Sequence, residues 1–326
     1  MTLDSRRNFI AALGALPLIY WLPGCNKPPV GPLSIAAHVW PGYEPMFLAR
    51  REGWLDQRQV RLVETLSATE SLHALAAGTV DGAALTLDEV LRSRAGGVPL
   101  TVALVFDISA GADVLLARPG IKRLADLKGR RIGVEQGAVG ALMLAKALQA
   151  GGLSAGEVRL VSLTIAEQRD AWRQGRVDAV VTYEPVSSQL LAEGANRLFD
   201  SRQLPDLIVD VLALRTSVID MHTGALGQLL AAHFRALDHL RRNPQDAAYR
   251  MAQRLNLAPD QVLASFKGLV LPDLSNNHRL LAGDTPPLLA SARSLSGLML
   301  EAGMLSREDT LTDLLSADFL PRQAAP

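Results

Sequence analysis

Hydrogen-bonding and aromatic side chains are concentrated in short loops that follow apolar runs of this 326-residue chain. Each run is typical of a buried strand, and each loop of a turn into a helix. Because ligands bind outside the carboxyl ends of strands in open α/β sheets, these loops predict a binding cleft. The predicted ligand-binding residues are His38, Trp40, Tyr43, Thr86, Asp88, Glu89, Asp107, Ser109, Gln136, Gly137, Ala138, Thr182, Tyr183 and Glu184.

Acidic residues dominate the charge of these loops. The acids in or beside them are Glu44, Asp88, Glu89, Asp107, Asp113 and Glu184, and the loops contain no Lys or Arg. A water-poor acidic cleft attracts cations and hydroxyl or amine donors and repels bare anions, unless backbone N–H groups offset the repulsion. The sequence therefore favours a neutral or amine-bearing small organic ligand over nitrate or a simple alkylsulfonate. For Glu44 and Glu184, each just before a proline, a structural role at a helix start is the alternative.

Aromatic rings are also gathered in the loops, which contain Trp40, Tyr43 and Tyr183. Such rings give flat contact area at low entropic cost, and tyrosine adds a hydrogen-bonding group. Packing of a helix against a sheet is the alternative use of each ring. His38 stands at a strand end, where it could bind a ligand or be a satisfied core histidine. The six histidines show no metal-ligand spacing, so no metal is predicted.

A glycine-containing loop, Gln136 to Gly140, leads into a predicted helix. Its free backbone N–H groups and the helix dipole could hold a carboxylate, a sulfonate or another acceptor. Glycine loops are common, so the loop alone does not establish a binding role.

One segment of the chain is repeated. Gly78-Thr79-Val80-Asp81, an apolar run and Thr86 are echoed by Gly175-Arg176-Val177-Asp178, an apolar run and Thr182. In each copy the pattern predicts a short strand that stops at the threonine and turns straight into a helix. A second echo places Tyr-Glu-Pro at 43–45 and at 183–185. The repetition predicts two similar lobes that face each other.

Strand and helix patterns alternate from residue 33, which is typical of a mostly parallel sheet flanked by helices. After a strand at 208–214 the pattern predicts only helices, at 225–242, 245–255, 259–269, 287–302 and 307–315. The economical arrangement has lobe 1 begin at 33–115, lobe 2 occupy 116–207, and lobe 1 resume with a return strand and the C-terminal helices at 208–326. Two hinge crossings would let the lobes close on a ligand, with Gly111 and Gly120 absorbing the rotation.

Composition places the chain among globular proteins, with 48% hydrophobic and 20% charged residues. Lys plus Arg equals Asp plus Glu at 33 each, and no basic stripe with interleaved aromatics is present. Nucleic acid is therefore not a predicted partner. A chain of this length is expected to divide into two cores.

The N-terminus is typical of an export signal, predicted to occupy 1–24. Leu22-Pro23-Gly24-Cys25 resembles a bacterial lipobox, in which the cysteine is lipidated and becomes the mature N-terminus. Cys25 is the only cysteine, which suits that use. Arg6-Arg7 leaves both the general and the twin-arginine export routes open. Residues 25–32, rich in proline, predict a tether that holds a soluble body at the membrane.

Leu124-Ala125-Asp126-Leu127-Lys128-Gly129-Arg130-Arg131-Ile132-Gly133-Val134 resembles the start of the second lobe in type II periplasmic solute-binding proteins. Together with Trp40-Pro41-Gly42-Tyr43-Glu44-Pro45 and the two Gly-x-Val-Asp copies, it resembles the nitrate/sulfonate/taurine branch of ABC-transporter substrate-binding proteins. That branch includes the thiamine-pyrimidine-precursor proteins. The resemblance covers about residues 33–215, and it strengthens the assignment of the Gln136 loop to the cleft.

The resemblance implies a two-lobed α/β protein, anchored at the periplasmic face of a membrane, that captures a small solute and delivers it to a permease. The chain has no phosphate-binding Gly-Lys-Ser/Thr loop, so the ATPase would be a separate polypeptide. No cofactor is implied, and a monomer is expected because both lobes must be free to move.

Two other functions stay open. A ligand-binding sensor subunit would have the same lobes but would present its closed form to a membrane receptor. An enzyme of the thiamine-precursor type is less consistent with export, and the sequence contains no Gly-x-Ser-x-Gly elbow and no cysteine nucleophile beyond Cys25.

Overall fold

The computed structural model describes residues 31–323. The predicted signal peptide, Cys25 and the tether up to Val30 lie outside the described residues. Within the part described, none of the helices combines the length and the apolar run that spanning a bilayer would need.

Eleven strands in this part of the chain form two sheets. In chain order they are β1 (Leu33–Ala37), β2 (Val60–Glu64), β3 (Gly82–Thr86), β4 (Leu100–Ser109), β5 (Val114–Ala117), β6 (Arg131–Val134), β7 (Arg159–Ser162), β8 (Ala179–Thr182), β9 (Asn196–Asp200), β10 (Val209–Arg215) and β11 (Leu269–Val270). The first sheet has the order β11-β4-β10-β3-β1-β2, and the second β7-β6-β8-β5-β9. We call the parts built on them lobe 1 and lobe 2.

Both sheets are mixed. Strand β1 runs parallel to β2 and β3, and β6 runs parallel to β7 and β8. Strand β10 lies antiparallel between β3 and β4, and β5 lies antiparallel between β8 and β9. Each of these two strands is the first strand after the chain passes from one sheet to the other. Strands β1 and β3 are buried along their whole length, as expected where helices cover both faces.

The chain crosses between the sheets twice, after β4 through residues 110–113 and after β9 through residues 201–208. The predicted pair of crossings is therefore present. The crossings are bonded to each other: the Gly111 N–H donates to Ser201 Oγ at 2.6 Å, and the hydroxyls of Ser201 and Ser109 lie 2.7 Å apart. Gly111 has φ +118°, a conformation that only glycine adopts easily. The two lobes are thus joined along one edge.

Eleven α-helices cover the sheets in the region described. They are α1 (Glu44–Arg51), α2 (Ala68–Ala76), α3 (Leu87–Ala95), α4 (Val139–Ala150), α5 (Ile165–Arg173), α6 (Val186–Ala192), α7 (Thr223–Arg242), α8 (Pro244–Leu255), α9 (Pro259–Ser265), α10 (Leu274–Leu281) and α11 (Pro287–Glu301). Helix α8 shows the local rules: Pro244 opens it, Asn256 in the left-handed region ends it, and one apolar face is buried.

The C-terminal prediction was wrong in part. Residues 307–315 form no helix, because Leu311 and Asp313 have positive φ and the segment instead runs beside β4. The Val102 N–H donates to the Leu314 carbonyl at 2.7 Å. Arg94 holds the segment through Asp309, with Nε 2.5 Å from Oδ2. Strand β9, the short strand β11 and helices α6 and α10 are present without having been predicted.

The repeated Gly-x-Val-Asp segment has the same structure in both lobes. Asp81 Oδ2 accepts the N–H of the second residue of β1 at 2.8 Å, and Asp178 Oδ2 accepts the N–H of the first residue of β6 at 2.9 Å. Gly78 and Gly175 have φ of +71° and +68°. Each glycine ends a helix in the left-handed region, and each aspartate then ties its strand to the start of a parallel neighbour.

The second half of the repeat differs between the lobes. Helix α3 begins at Leu87, directly after Thr86, as predicted. Helix α6 begins only at Val186, so residues 183–185 form a separate turn after β8. The prediction of an immediate turn was therefore wrong for lobe 2, where the longer turn carries Tyr183 away from its strand.

Gly82 lies in β3 between β1 and β10, where an added Cβ would be 2.8 Å from the Ala213 carbonyl oxygen and 2.9 Å from Ile35 Cδ1. We expect Gly82→Ala to lower the free energy of unfolding by about 1–3 kcal/mol through overpacking. Thermal unfolding of the mature chain measures this. The control is Gly297→Ala in α11, where an added Cβ meets no atom within 4 Å. Because alanine favours a helix more than glycine does, this variant should raise the free energy of unfolding by up to about 1 kcal/mol. Equal melting temperatures for Gly82→Ala and the unmutated chain would contradict the packing described.

Candidate functional site

Aromatic rings from both lobes meet between the sheets. Trp40 lies in the turn after β1, and its ring centroid is 5.2 Å from that of Tyr183, with the planes at 90°. The His38 ring lies edge-on to Tyr43, 5.4 Å between centroids, and 5.8 Å from Tyr183. Trp40 and Tyr183 are 3% and 8% exposed. The two lobes are therefore in contact through these rings.

The space left around this contact is about 20 Å³, room for about one water molecule. A small organic solute therefore cannot bind until the lobes move apart. The lining residues are His38, Trp40, Tyr43, Ala68, Thr86, Glu89, Asp113, Glu135, Ala138, Val139, Gly140, Gln168, Val181, Tyr183 and Asp210. Seven predicted residues belong to this set: His38, Trp40, Tyr43, Thr86, Glu89, Ala138 and Tyr183.

Four other predicted residues do not line the cavity but lie behind its lining or at its edge. They are Asp88, Asp107 and Ser109 of lobe 1 and Gly137 of lobe 2. Asp107 accepts the Trp40 Nε1–H at 2.9 Å, and any side chain at position 42 would collide with its carboxylate. Asp88 is fully buried on α3, with a carboxylate oxygen 3.7 Å from the Arg92 guanidinium. Ser109 bonds within the crossings, and Gly137 faces Thr69 of lobe 1. These residues shape or support the cavity wall without forming it.

Three further predicted residues of lobe 2 also do not line the cavity. The Gln136 carbonyl accepts a hydrogen bond from Arg92 at 3.3 Å. Thr182 is buried at the end of β8, with no partner for its hydroxyl. Glu184 accepts the hydroxyl of Ser188 in α6 at 2.8 Å, which is the structural role left open for it.

Six buried carboxyl groups lie in or directly behind the lining. They are Asp88, Glu89, Asp107, Asp113, Glu135 and Asp210, each 5% exposed or less. Burial raises the pKa of Glu89 to about 8, with the charges of Asp88 and Glu135 adding to the shift. Burial also raises the pKa of Asp107 to about 7 and that of Asp113 to about 6. The cluster therefore holds protons near neutral pH and can exchange them for a cation.

Several of these acids are fixed by donors. The Tyr43 hydroxyl donates to Asp210, whose pKa burial and Asp107 raise well above its ordinary value. Both Glu89 oxygens accept backbone N–H groups, from Thr86 at 2.9 Å and from Val139 at 3.2 Å. Burial lowers the pKa of His38 to about 3, so its ring is neutral, and its Nδ1 has no partner.

The prediction that cations are absent from the loops needs correction. Arg92 of α3 reaches the Gln136 loop, and Arg254 of α8 pairs with Glu44 and donates to the His38 carbonyl at 3.1 Å. Both arginines come from helices rather than from the loops, so loop composition could not reveal them. Glu44 is thus held on the outer side of lobe 1. No Lys or Arg belongs to the described lining itself.

Sequence reasoning left several lining residues out of the binding set. Glu135 directly follows β6, and Thr86 is the last residue of β3. A polar residue at a strand end is the pattern that predicted the other cleft residues, so it could also have identified Glu135. Asp210 stands near the start of β10, and the antiparallel direction of that strand brings its amino end to the cleft. Gln168 reaches in from α5, where Nε2 donates to the Val181 carbonyl at 2.9 Å. No local pattern marks that glutamine.

Two α/β lobes joined by two crossings, with a buried polar cavity between their strand ends, define the type II periplasmic binding protein fold. The alkanesulfonate-binding protein SsuA from Xanthomonas axonopodis pv. citri, solved with MOPS bound, matches with a TM-score of 0.72 and 20% identity over 89% of this chain and 98% of that one. The desulfurization enzyme DSZB matches with a TM-score of 0.64 and 18% identity over 88% and 97%. Both likenesses concern the fold alone.

Sequence comparison identifies the family. The NMT1/THI5-like family model matches residues 40–247, so the chain belongs to that family. A putative aliphatic sulfonates-binding protein from Escherichia coli (strain K12) is 28% identical over 228 residues, which are 68% of this chain and 71% of that protein. The predicted resemblance to substrate-binding proteins of this type is confirmed.

The buried acids predict how stability depends on pH. Between pH 6.5 and 8.5 Glu89 and Asp107 hold protons only in the folded chain, and this outweighs the protons that the buried His38 and His233, each with a pKa of about 3, take up only when the chain unfolds. The folded state then binds more protons, so its free energy of unfolding falls as pH rises. We expect the melting temperature to drop by about 3 °C or more between pH 6.5 and 8.5.

The matched variant is Asp107→Asn, which removes one titrating carboxyl and should give a shallower decline. A melting temperature that is constant or rises over this range would contradict the raised pKa values.

Proposed function

We propose that this chain binds a small polar organic solute, neutral or amine-bearing, between its two lobes and delivers it to an ABC importer. The observation that carries the proposal is the acidic cavity: six buried carboxyl groups stand in or behind a lining whose described residues include no Lys or Arg. Family membership and fold support the role of a solute-binding subunit.

Unpaired atoms in the cavity support a ligand that donates hydrogen bonds. Acceptor atoms without a partner include Asp113 Oδ2, Glu135 Oε2 and Gln168 Oε1. The unpaired hydroxyls of Thr86 and Tyr183 can donate or accept. Buried polar atoms are normally paired, so a ligand with N–H groups would satisfy most of this set.

The aromatic residues favour a flat or cationic group on that ligand. Trp40, Tyr43 and Tyr183 line the cavity, and the faces of such rings bind planar rings and cations favourably. A protonated amine or an amino-substituted ring such as an aminopyrimidine combines both properties. An alkanesulfonate does not, although the Escherichia coli relative bears that ligand in its name.

Closure of the two lobes would bring the lining residues of both onto the ligand. We propose that the two parts of lobe 1, 33–109 and 209–323, move as one body against lobe 2, 114–200, about the crossings that contain Gly111 and Ser201. The contact of Trp40 with Tyr183 would then open and close the cavity. The closed form would be the one that the permease recognises.

A binding role is favoured over catalysis. The fold is shared with a desulfurization enzyme, so fold alone does not separate the two. The single cysteine of this chain is Cys25, and the described lining contains no cysteine that could act as a nucleophile. A sensor subunit that binds the same solute and contacts a membrane receptor is the second candidate. Pull-down from detergent-solubilised membranes distinguishes them, since an importer subunit co-purifies with a permease.

The chemical class of the ligand is tested by the melting temperature of the mature domain against benzylamine, 4-aminopyrimidine, taurine, butane-1-sulfonate, nitrate and bicarbonate. A ligand at about 100 times its dissociation constant adds roughly 2.7 kcal/mol, a shift of several degrees. We expect the shift from the amine or the aminopyrimidine. Tyr183→Phe should weaken that binding by about threefold or more through one lost hydrogen bond, and Tyr249→Phe, on an exposed ring, should not. Shifts from sulfonate, nitrate or bicarbonate alone would contradict the ligand class.

The cellular location rests on the N-terminal segment, and we propose export with lipidation at Cys25 as membrane anchor. Cys25→Ser should move the protein from the membrane to the soluble periplasmic fraction, because acyl chains on that residue supply the attachment. Cell fractionation with immunoblotting measures the distribution. Continued membrane association of the variant after a high-salt wash would contradict lipid anchoring.

A further inference from the structure

Helix α4 of lobe 2 has no cap of its own. It begins after Ala138, whose methyl side chain cannot accept a hydrogen bond. The Val139 N–H instead donates to Glu89 Oε1 of lobe 1, at 3.2 Å. The other oxygen, Oε2, accepts the Thr86 N–H at 2.9 Å, which fixes the carboxyl group between the lobes. Glu89 therefore completes the start of a helix on the opposite side of the cleft.

Helix α2 of lobe 1 shows the same relation in reverse. Glu135, which follows β6 in lobe 2, accepts the Thr69 N–H at 2.9 Å and the Thr69 hydroxyl at 2.6 Å through Oε1. Its other oxygen is buried and unpartnered. Each lobe thus contributes one glutamate that accepts a backbone N–H at a helix start of the other lobe: Glu89 at α4 and Glu135 at α2. Both glutamates line the same cavity.

Helix N-termini are the ordinary binding sites for anions, because their free N–H groups and the helix dipole favour negative charge. In this cavity both facing helix starts already bind carboxyl oxygens of the chain itself. An anionic ligand at either helix start would have to displace the glutamate or lie directly beside it. A cationic ligand displaces neither and gains from both.

We propose that Glu89 and Glu135 are the specificity-determining residues of the cleft: each occupies, at a helix start of the facing lobe, the position that an anionic ligand would take. The inference rests on the proposed function and deepens it, because it assigns the selection of cationic or neutral donors over anions to two residues. The carboxyl oxygens of the glutamates occupy these helix starts, so the lobes can close without an anionic solute.

The test compares two affinities in one variant. Glu89→Gln keeps the size of the side chain and an oxygen that can accept one backbone N–H, but removes the charge. Calorimetry at pH 8.5 measures the dissociation constants of butane-1-sulfonate and of the tightest-binding amine or aminopyrimidine. We expect the preference for amine over sulfonate to fall at least about tenfold, because the variant loses both the attraction of the carboxylate for the amine and its repulsion of the sulfonate.

The control is Asp88→Asn, which removes an adjacent buried acid from the same helix without touching a helix start of lobe 2. Its change in preference should be several times smaller. An equal change would mean that general negative charge selects the ligand, and it would overturn the proposal. Glu135→Gln should also lower the preference for amine over sulfonate. If Glu89→Gln does not fold, the same measurement is made on Glu135→Gln.

Failure of this inference differs from failure of the proposed function. If the unmutated protein binds the amine and Glu89→Gln leaves the preference unchanged, the role of the glutamates is overturned and the binding function stands. If the unmutated protein binds no member of the panel at any pH from 6 to 8.5, the proposed function is overturned, and this inference with it.

Discussion

Carboxyl groups buried between two lobes are expensive unless each finds a proton, a donor or a counter-ion, and this requirement organises the cleft. Asp107 has the indole of Trp40, Asp210 has the hydroxyl of Tyr43, and Glu89 has two backbone N–H groups. Asp113 and Asp107 keep protons to higher pH than exposed aspartates do. These hydrogen bonds shape the loops around the cavity, and Asp113 and Glu135, which line it, each keep one oxygen without a partner.

The scaffold that holds the acids in place is repetitive. The same aspartate-to-strand hydrogen bond closes the loop before β3 in lobe 1 and before β8 in lobe 2. Because each lobe presents the carboxyl ends of its parallel strands to the other, short loops from both contribute to one cavity. The two crossings hold the lobes together at one edge of the cleft. Across the cleft, Glu89 of lobe 1 accepts a hydrogen bond from lobe 2, and Glu135 of lobe 2 accepts one from lobe 1.

Membership of the NMT1/THI5-like family and the SsuA-like fold fix the architecture but not the ligand. A fold accommodates many ligands because specificity resides in a few side chains that the scaffold tolerates in several forms. The helix starts that could serve an anion are present here, and glutamates from the facing lobe fill them. Under the proposed function, two positions would be enough to change the ligand class within one architecture.

The sequence by itself determined the α/β class, the repeat and the loops that form the cleft, because these depend on local periodicity and on turn residues such as Gly78 and Gly175. It also placed Glu89 and Tyr183 near the cavity. Only the tertiary structure decided that Asp210 reaches the cleft on an antiparallel strand and that Arg254 of a distant helix pairs with Glu44. Which acid stays unpaired and which meets a helix start depends on contacts between residues far apart in the chain. Those contacts follow from how the two lobes pack, and no local pattern encodes them.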